Sequence, residues 1–432
     1  MKFVLTAFVT VLIYTVTFSQ NYQYNNGQWL IDQKLQKKTI YSVNGFFSFK
    51  KPARIDSVID LQSKFCIPPF ADAHTHNLDG SYLFSEVSNQ YIKDGIFYVQ
   101  VLGNHAKQVA GSRKLLAKDS ILDVVYANGL LTATYGHGFY PYEPLALYIY
   151  SPLDQMRLAD SIKKSRLMEN DAYFFFDNIA DVDLKWPMVM QYKPDIIKIC
   201  LMDAENYTAL RAKEVPETYG VSPEVAEYIV TKSHAEGLRV FAHVETAADA
   251  RLCARIGVDG LAHLPGYGWH GNIEDSVKFC LNTSDIKLIK KSGMSIIPTL
   301  NSDYTDEFDK SGNKTEHPDR RLRVKNYKRR VIKEIYERGI PIGLGADYFG
   351  KTGALELDSL ISLNVFKPEQ LLDIACLQTA QIILPNRKIG KIKDGYEASF
   401  LILNANPILD IKNARKNIVG RVKKGRFLIA KS

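Results

Sequence analysis

His74 and His76, in the run FADAHTHNLDG (residues 70–80), are the first groups along the chain with the spacing of a metal clamp. On a strand, residues i and i+2 point to the same face, so both imidazoles would project together. Two imidazoles converging in this way are good ligands for zinc or a similar borderline metal. The pair alone is weak evidence, because HxH recurs by chance. Four further residues strengthen it: Lys198 lies inside the apolar run PDIIKIC, His243 inside LRVFAHVE, His263 inside VDGLAHLPG, and Asp347 ends IPIGLGAD. An ionisable side chain in a buried β-type run is costly unless it is paired or ligated. One shared site accounts for all six groups better than six separate hydrogen-bonded core residues would.

Such a site needs a scaffold that brings distant runs to one rim. Eight β-type runs are available, beginning at IPPFADAHTH (67–76), GIFYVQVLGN (95–104), GLLTATYGHG (129–138) and PDIIKIC (194–200). LRVFAHVE (238–245), VDGLAHLPG (258–266), SIIPTL (295–300) and IPIGLGAD (340–347) complete them. Helical patterns separate them. The clearest is SPEVAEYIVTKSHAEG, with Ser222 as cap, Pro223 in the first turn, Val225, Ile229 and Val230 on one face, and Gly237 at the end. This alternation predicts an α/β fold, a (β/α)8 TIM barrel over residues 68–384 with its functional groups at the strand ends. A doubly wound open sheet is the alternative, but no GxGxxG or P-loop follows any strand to support it. The β-rich segments 20–67 and 385–432 would form a small composite β-sandwich domain.

The ordered set, HxH on the first strand followed by Lys198, His243, His263 and Asp347 on later ones, resembles the amidohydrolase superfamily, in its imidazolonepropionase-like and prolidase-like branch. QTAQIILPNRKIGKIKDGYEASFLILNANPILDIKN (378–413) is similar to the closing pattern of that superfamily. The resemblance implies that His74, His76 and Asp347 hold one divalent metal and His243 and His263 a second, both zinc by expectation. It also implies that Lys198, as a carbamate formed with CO2, bridges them. The carbamate has a physical rationale, since an ammonium has no lone pair for a metal, whereas burial and nearby cations favour the neutral amine that reacts with CO2. The alternative for Lys198 is a salt-bridged structural lysine in a one-metal site. With two metals, a bridging water becomes hydroxide at neutral pH and Asp347 shuttles its proton to the leaving group. The implied activity is hydrolysis of a C–N bond in a small amide, such as a dipeptide, N-acyl amino acid or cyclic amide. A lactonase or phosphotriesterase-like esterase on the same site is the rival within hydrolases. A catalytically silent metal-binding envelope protein is the rival outside them.

His137, in TYGHGFY, is similar to a GHG element of the same branch and is expected, with Tyr140, to contact substrate; Tyr142 follows in the same loop. Asp72 shares the strand parity of His74 and could either orient a histidine or satisfy backbone N–H groups. One departure weakens a prolidase assignment: the strand histidine is followed by Val244-Glu245 where that branch commonly has Ala-Tyr. His105, His234, His270 and His317 are expected to lie in loops or on the surface.

Composition bounds the rest. The 432 residues are 46% hydrophobic and 24% charged, which excludes disorder as a whole-chain reading. The net charge of +8 is spread along the chain without an aromatic-basic motif, so a nucleic-acid partner is not expected and a small-molecule substrate is. A homo-oligomer is compatible with this composition. The five cysteines are scattered and odd in number, which argues against a disulfide framework. Residues 1–19, with Lys2 and an apolar run ending near Ser19-Gln20, read as a secretory signal, a retained anchor being the alternative. The expectation is an exported protein, periplasmic or secreted, with no stable membrane insertion after cleavage.

Overall fold

The buried apolar runs of the middle segment form short strands in parallel sheets, and a computed structural model describes residues 20–80, 83–119, 121–301, 307–308, 314–315 and 317–428. The expected signal, residues 1–19, lies outside the described residues. Phe70–Thr75, Ile96–Val101 and Asp123–Tyr126 pair in parallel as one sheet. A second parallel sheet has the order Tyr173–Phe175, Leu130–Thr132, Ile197–Cys200, Val240–His243, Gly260–Ala262, Ser295–Ile297. In Phe70–Thr75, Ile96–Val101, Ile197–Cys200 and Val240–His243 every residue is buried, as expected of parallel strands covered on both faces, so these stretches read as continuous apolar runs.

The helices between them start and stop where local chemistry dictates. In Pro223–Ala235 the Ser222 hydroxyl accepts the Val225 N–H at 3.2 Å, and Val225, Ile229 and Val230 are buried as predicted. Ala247–Ile256 follows directly on Val240–His243. It opens with a reciprocal Thr246–Asp249 capping box and closes on Gly257 at φ +86°. Asp249 also accepts the Ala204 N–H at 2.8 Å, which ties the turn after Ile197–Cys200 to the cap beside His243.

Three segments differ from the sequence expectation. GLLTATYGHG keeps only Leu130–Thr132 as strand, because the chain turns directly after it, with Tyr135 at φ +61° and the Gly136 N–H donating to the Ala133 carbonyl at 2.8 Å. Asp123–Tyr126 and Tyr173–Phe175 are strands that the pattern did not single out. IPIGLGAD forms only an isolated bridge, Ile342 to Ile296. Side chains take over there: the Ile342 N–H donates to Gln378 Oε1 and the Leu344 N–H to Thr379 Oγ1, both at 2.9 Å. A Cβ on Gly345 would lie 2.5 Å from the His74 Cβ, so this backbone can approach the first strand only as glycine.

Both chain ends enter one eight-stranded sheet, in which Phe65–Ile67 is flanked by Phe400–Leu403 and Tyr22–Ile31. Its core is aromatic, with Trp29 and Phe400 rings 5.0 Å apart and Tyr24 and Phe47 buried beside them. A polar seam joins it to the parallel strands: Lys423 Nζ lies 2.7 Å from Asp123 and 3.2 Å from Glu397, and Tyr98 donates to Glu397 at 3.1 Å. No described helix is long and apolar enough to cross a membrane. Four of the cysteines are buried, Cys280 is partly so, and all five are free.

Candidate metal centre

The ends of the parallel strands bring the predicted groups together. His74 closes Phe70–Thr75 with His76 just beyond, Lys198 and His243 lie on adjacent strands, and His263 follows Gly260–Ala262. Asp347 is drawn against the first strand by its own N–H, which donates to the His74 carbonyl at 3.0 Å. Three imidazoles surround its carboxylate. His74 Nε2 and His76 Nε2 lie 3.2 and 3.0 Å from Oδ1, and His263 Nε2 lies 3.7 Å from Oδ2. One ligand atom each from His74, His263 and Asp347 falls within 4.8 Å of the others, the reach of a single metal ion. His243 joins through its ring, 4.5 Å from that of His263. Two of these residues hold unusual backbone, His263 at φ +122° and Asp347 at φ +47°, which non-glycine residues adopt only where the surroundings impose it.

The proton arrangement suits a cation. His76 Nδ1 donates to the Gly103 carbonyl at 2.8 Å. His263 Nδ1 donates to Thr299 Oγ1 at 2.7 Å, and that hydroxyl donates onward to the Pro298 carbonyl at 2.8 Å. Each bond leaves an Nε2 lone pair facing Asp347, which is how partners of a second ring nitrogen prepare a metal ligand. His74 Nδ1 and His243 Nε2 are buried with no hydrogen-bond partner among the described residues. Burial lowers His74 to about 4 and takes His243 and His263 well below the ordinary histidine range, so all three are neutral, as ligation requires. Burial alone would raise Asp347; a proton on one of the facing imidazoles of His74, His76 and His263 would hold it well below the usual carboxylate range. Neutral imidazoles around an ionised carboxylate are the donor set of a divalent metal, and the residues fit one.

Lys198 is 3% exposed. Burial lowers it to about 8, towards the neutral amine. Its side chain, with those of the five other predicted ligands, lines a cavity of about 300 Å³. A larger open groove of about 700 Å³ lies elsewhere, and its arginines are spoken for: Arg113 pairs with Asp195, Arg387 with Asp123, and Arg239 caps the Ile382 and Ile383 carbonyls.

Among the second-tier residues, His137 lines the cavity, stacks at 3.9 Å on His243 and holds Glu217 at 2.8 Å through Nδ1. Burial would lower it, but Glu217 raises it. Tyr140 does not line the cavity. Its N–H donates to Glu217 at 2.7 Å and its hydroxyl to the Gln155 carbonyl at 3.3 Å, while Tyr142 takes the wall position. Asp72 serves backbone, accepting the N–H groups of His74 and Gly353, and burial raises it to about 7. His105 lies 3.7 Å from Asp171 and His234 pairs with Asp259, both away from the cavity. The site also contains Glu245, Thr299 and Tyr267, which the sequence did not mark as functional. Glu245 carried a usable signal: it stands two residues after His243, the same spacing that pairs His74 with His76.

Against known proteins, the sequence profile of the Amidohydrolase family matches residues 65–428. No curated protein matches the sequence. Among solved structures, the chain is similar to a Xaa-Pro dipeptidase with bound methionine, at 16% identity and a TM-score of 0.68 over 95% of this chain and 100% of that one. It is also similar to the A. niger ochratoxinase, at 16% identity, TM-score 0.69, over 94% and 95% of the two chains. A molinate hydrolase matches at 15% identity, TM-score 0.67, over 95% and 94%. Likeness at these identities establishes a shared fold.

Proposed function

The chain belongs to the amidohydrolase family, and from that membership we propose that it is a two-metal hydrolase of small amides. Cleavage of carbon–nitrogen bonds is the activity of the class, and the substrate is a small molecule. The observation that carries the two-metal reading is the convergence of His74, His76 and His263 on Asp347, beside a buried His74 Nδ1 with no hydrogen-bond partner among the described residues. His74, His76 and Asp347 would hold one ion and His243 and His263 the other, zinc suiting a histidine-rich set. Lys198, buried on the adjacent strand, would bridge them as a carbamate, which removes the cost of burying an ammonium among cations.

Metals bound here supply an acidified water and polarise the scissile carbonyl. Asp347 faces three imidazoles and can accept the proton of the attacking water and return it to the leaving nitrogen. Neutral His263, fixed by Thr299, keeps its lone pair towards the centre. We read the parallel strands and the bridged segment IPIGLGAD as parts of one closed barrel. Supporting that closure, the Ala73 N–H donates to the Leu344 carbonyl at 2.6 Å and the Gly343 N–H to the Ile296 carbonyl at 2.8 Å. The aromatic core of the terminal sheet supports its folding over as a small sandwich. Export through residues 1–19 belongs to the same proposal.

Two measurements test it. Metal analysis should give about two ions per chain. Asp347→Asn should lower kcat on the best amide in a panel of amides, lactones and phosphotriesters by about 10²- to 10⁴-fold with the fold retained. Turnover of lactones alone, or an unchanged rate in Asp347→Asn, refutes the proposal.

A further inference from the structure

Glu245 stands in the wall of the same cavity with no task in the scheme above. It follows Val240–His243 by two residues, and its side chain is 12% exposed. The carboxylate is built in. Oε2 accepts the Gly268 N–H at 2.9 Å, and the close approach depends on glycine, since a Cβ there would lie 2.7 Å from Oε2. Oε1 lies 3.3 Å from His243 Nε2 and retains acceptor capacity towards the cavity.

What surrounds it is as informative. No arginine lines the cavity among the described residues, and its one lysine is Lys198, which the metal centre claims. His137 is engaged by Glu217 through Nδ1. Leu130, Pro141, Tyr142, Tyr267 and Phe349 supply apolar and aromatic surface. Apart from the metal centre itself, a substrate carboxylate at this wall would therefore face a fixed acid with no cationic side chain among the described residues to offset it, whereas an N–H donor would find an acceptor already in place. Like charges set against one another are a strong device for rejecting a ligand.

Resting on the amide-hydrolase reading, we infer that Glu245 determines specificity: the site favours amides presenting a hydrogen-bond donor at this wall, a carboxamide or an ammonium, and rejects those presenting a carboxylate.

The test uses matched pairs differing only at that group: N-acetyl-L-phenylalanine with its carboxamide, and alanyl-proline with alanyl-prolinamide. For the zinc-loaded protein at about pH 8.5, where carboxyl groups are ionised, both kcat/KM and calorimetric Kd are measured. The carboxamides should be favoured by about tenfold or more, and Glu245→Gln should bring the ratio to within about twofold by improving the acids. A residue that merely orients His243 would change both members by one factor, and an unchanged ratio in Glu245→Gln overturns the inference. So does a wild-type ratio near unity, a preference for the acids, or no binding of either pair. These wild-type outcomes stand whether or not the variant folds. Failure of the parent reading looks different: the carboxamides bind preferentially, yet no amide is cleaved.

Discussion

Thr299→Val isolates what one hydrogen bond does for the metal centre. The Thr299 hydroxyl accepts from His263 Nδ1 at 2.7 Å and donates to Pro298 at 2.8 Å, so it fixes the ring proton on Nδ1 and the lone pair on Nε2. Valine removes that acceptor but keeps the β-branch, so whatever strain Thr299 carries at φ +48° is common to both proteins and cancels. His263 must then either bury an unsatisfied N–H or shift its proton to Nε2, where it blocks ligation. An unsatisfied buried donor costs about 1–3 kcal/mol, and outer partners of ligating histidines are worth about 10- to 100-fold in metal affinity, the same range. Competition for zinc against a fluorescent chelator should show that loss in Thr299→Val, while Thr299→Ser, which retains the hydroxyl, stays near wild type. An affinity in Thr299→Val within about twofold of wild type, or an equal loss in Thr299→Ser, would refute the reasoning.

Lys198→Met should reduce bound metal from about two ions to about one per chain, and should abolish the carbamate resonance expected from protein loaded with carbon-13-labelled bicarbonate; a wild-type protein without that resonance contradicts the bridge. Glu397 makes a pH prediction. Burial alone would raise it, but Lys423, Ser399 and Arg387 bring its carboxyl from an ordinary 4.5 down to about 2. A folded pKa below the unfolded one gives stability that is present above the unfolded value and lost as pH falls through the folded one. At about 1.4 kcal/mol per pH unit this is about 3 kcal/mol. The deficit of Glu397→Gln in urea unfolding should therefore shrink by up to about that amount between about pH 5 and pH 2, and a constant deficit contradicts the coupling.

The sequence made the candidate centre legible because ionisable side chains are conspicuous in buried runs. Lys198, His243, His263 and Asp347 interrupt apolar text, and Phe70–Thr75, Ile197–Cys200 and Val240–His243 lie where that text placed strands. Asp123–Tyr126 and Tyr173–Phe175 contribute none of the six candidate ligands and did not stand out beside the runs that do. IPIGLGAD could not be recognised as irregular, since its amides are met by Gln378 and Thr379, more than thirty positions away, and spacing within a run does not encode such partners. The same holds for Tyr140, whose hydroxyl is taken by a carbonyl at Gln155. Rim loops are set by contacts of this kind, which is why spacing alone does not decide between Tyr140 and Tyr142 for the cavity wall.

The dependence of IPIGLGAD on Gln378 and Thr379 has a consequence for biogenesis. All six candidate ligands are present in a nascent chain once Asp347 has been translated, yet two of the amides that seat the Asp347 segment find their partners only some thirty residues later. The seam through Glu397 and Lys423 is later still. Seating of the candidate centre is thereby coupled to synthesis through Thr379, and a chain truncated before Gln378 would carry every candidate ligand without two of the bonds that seat the Asp347 segment.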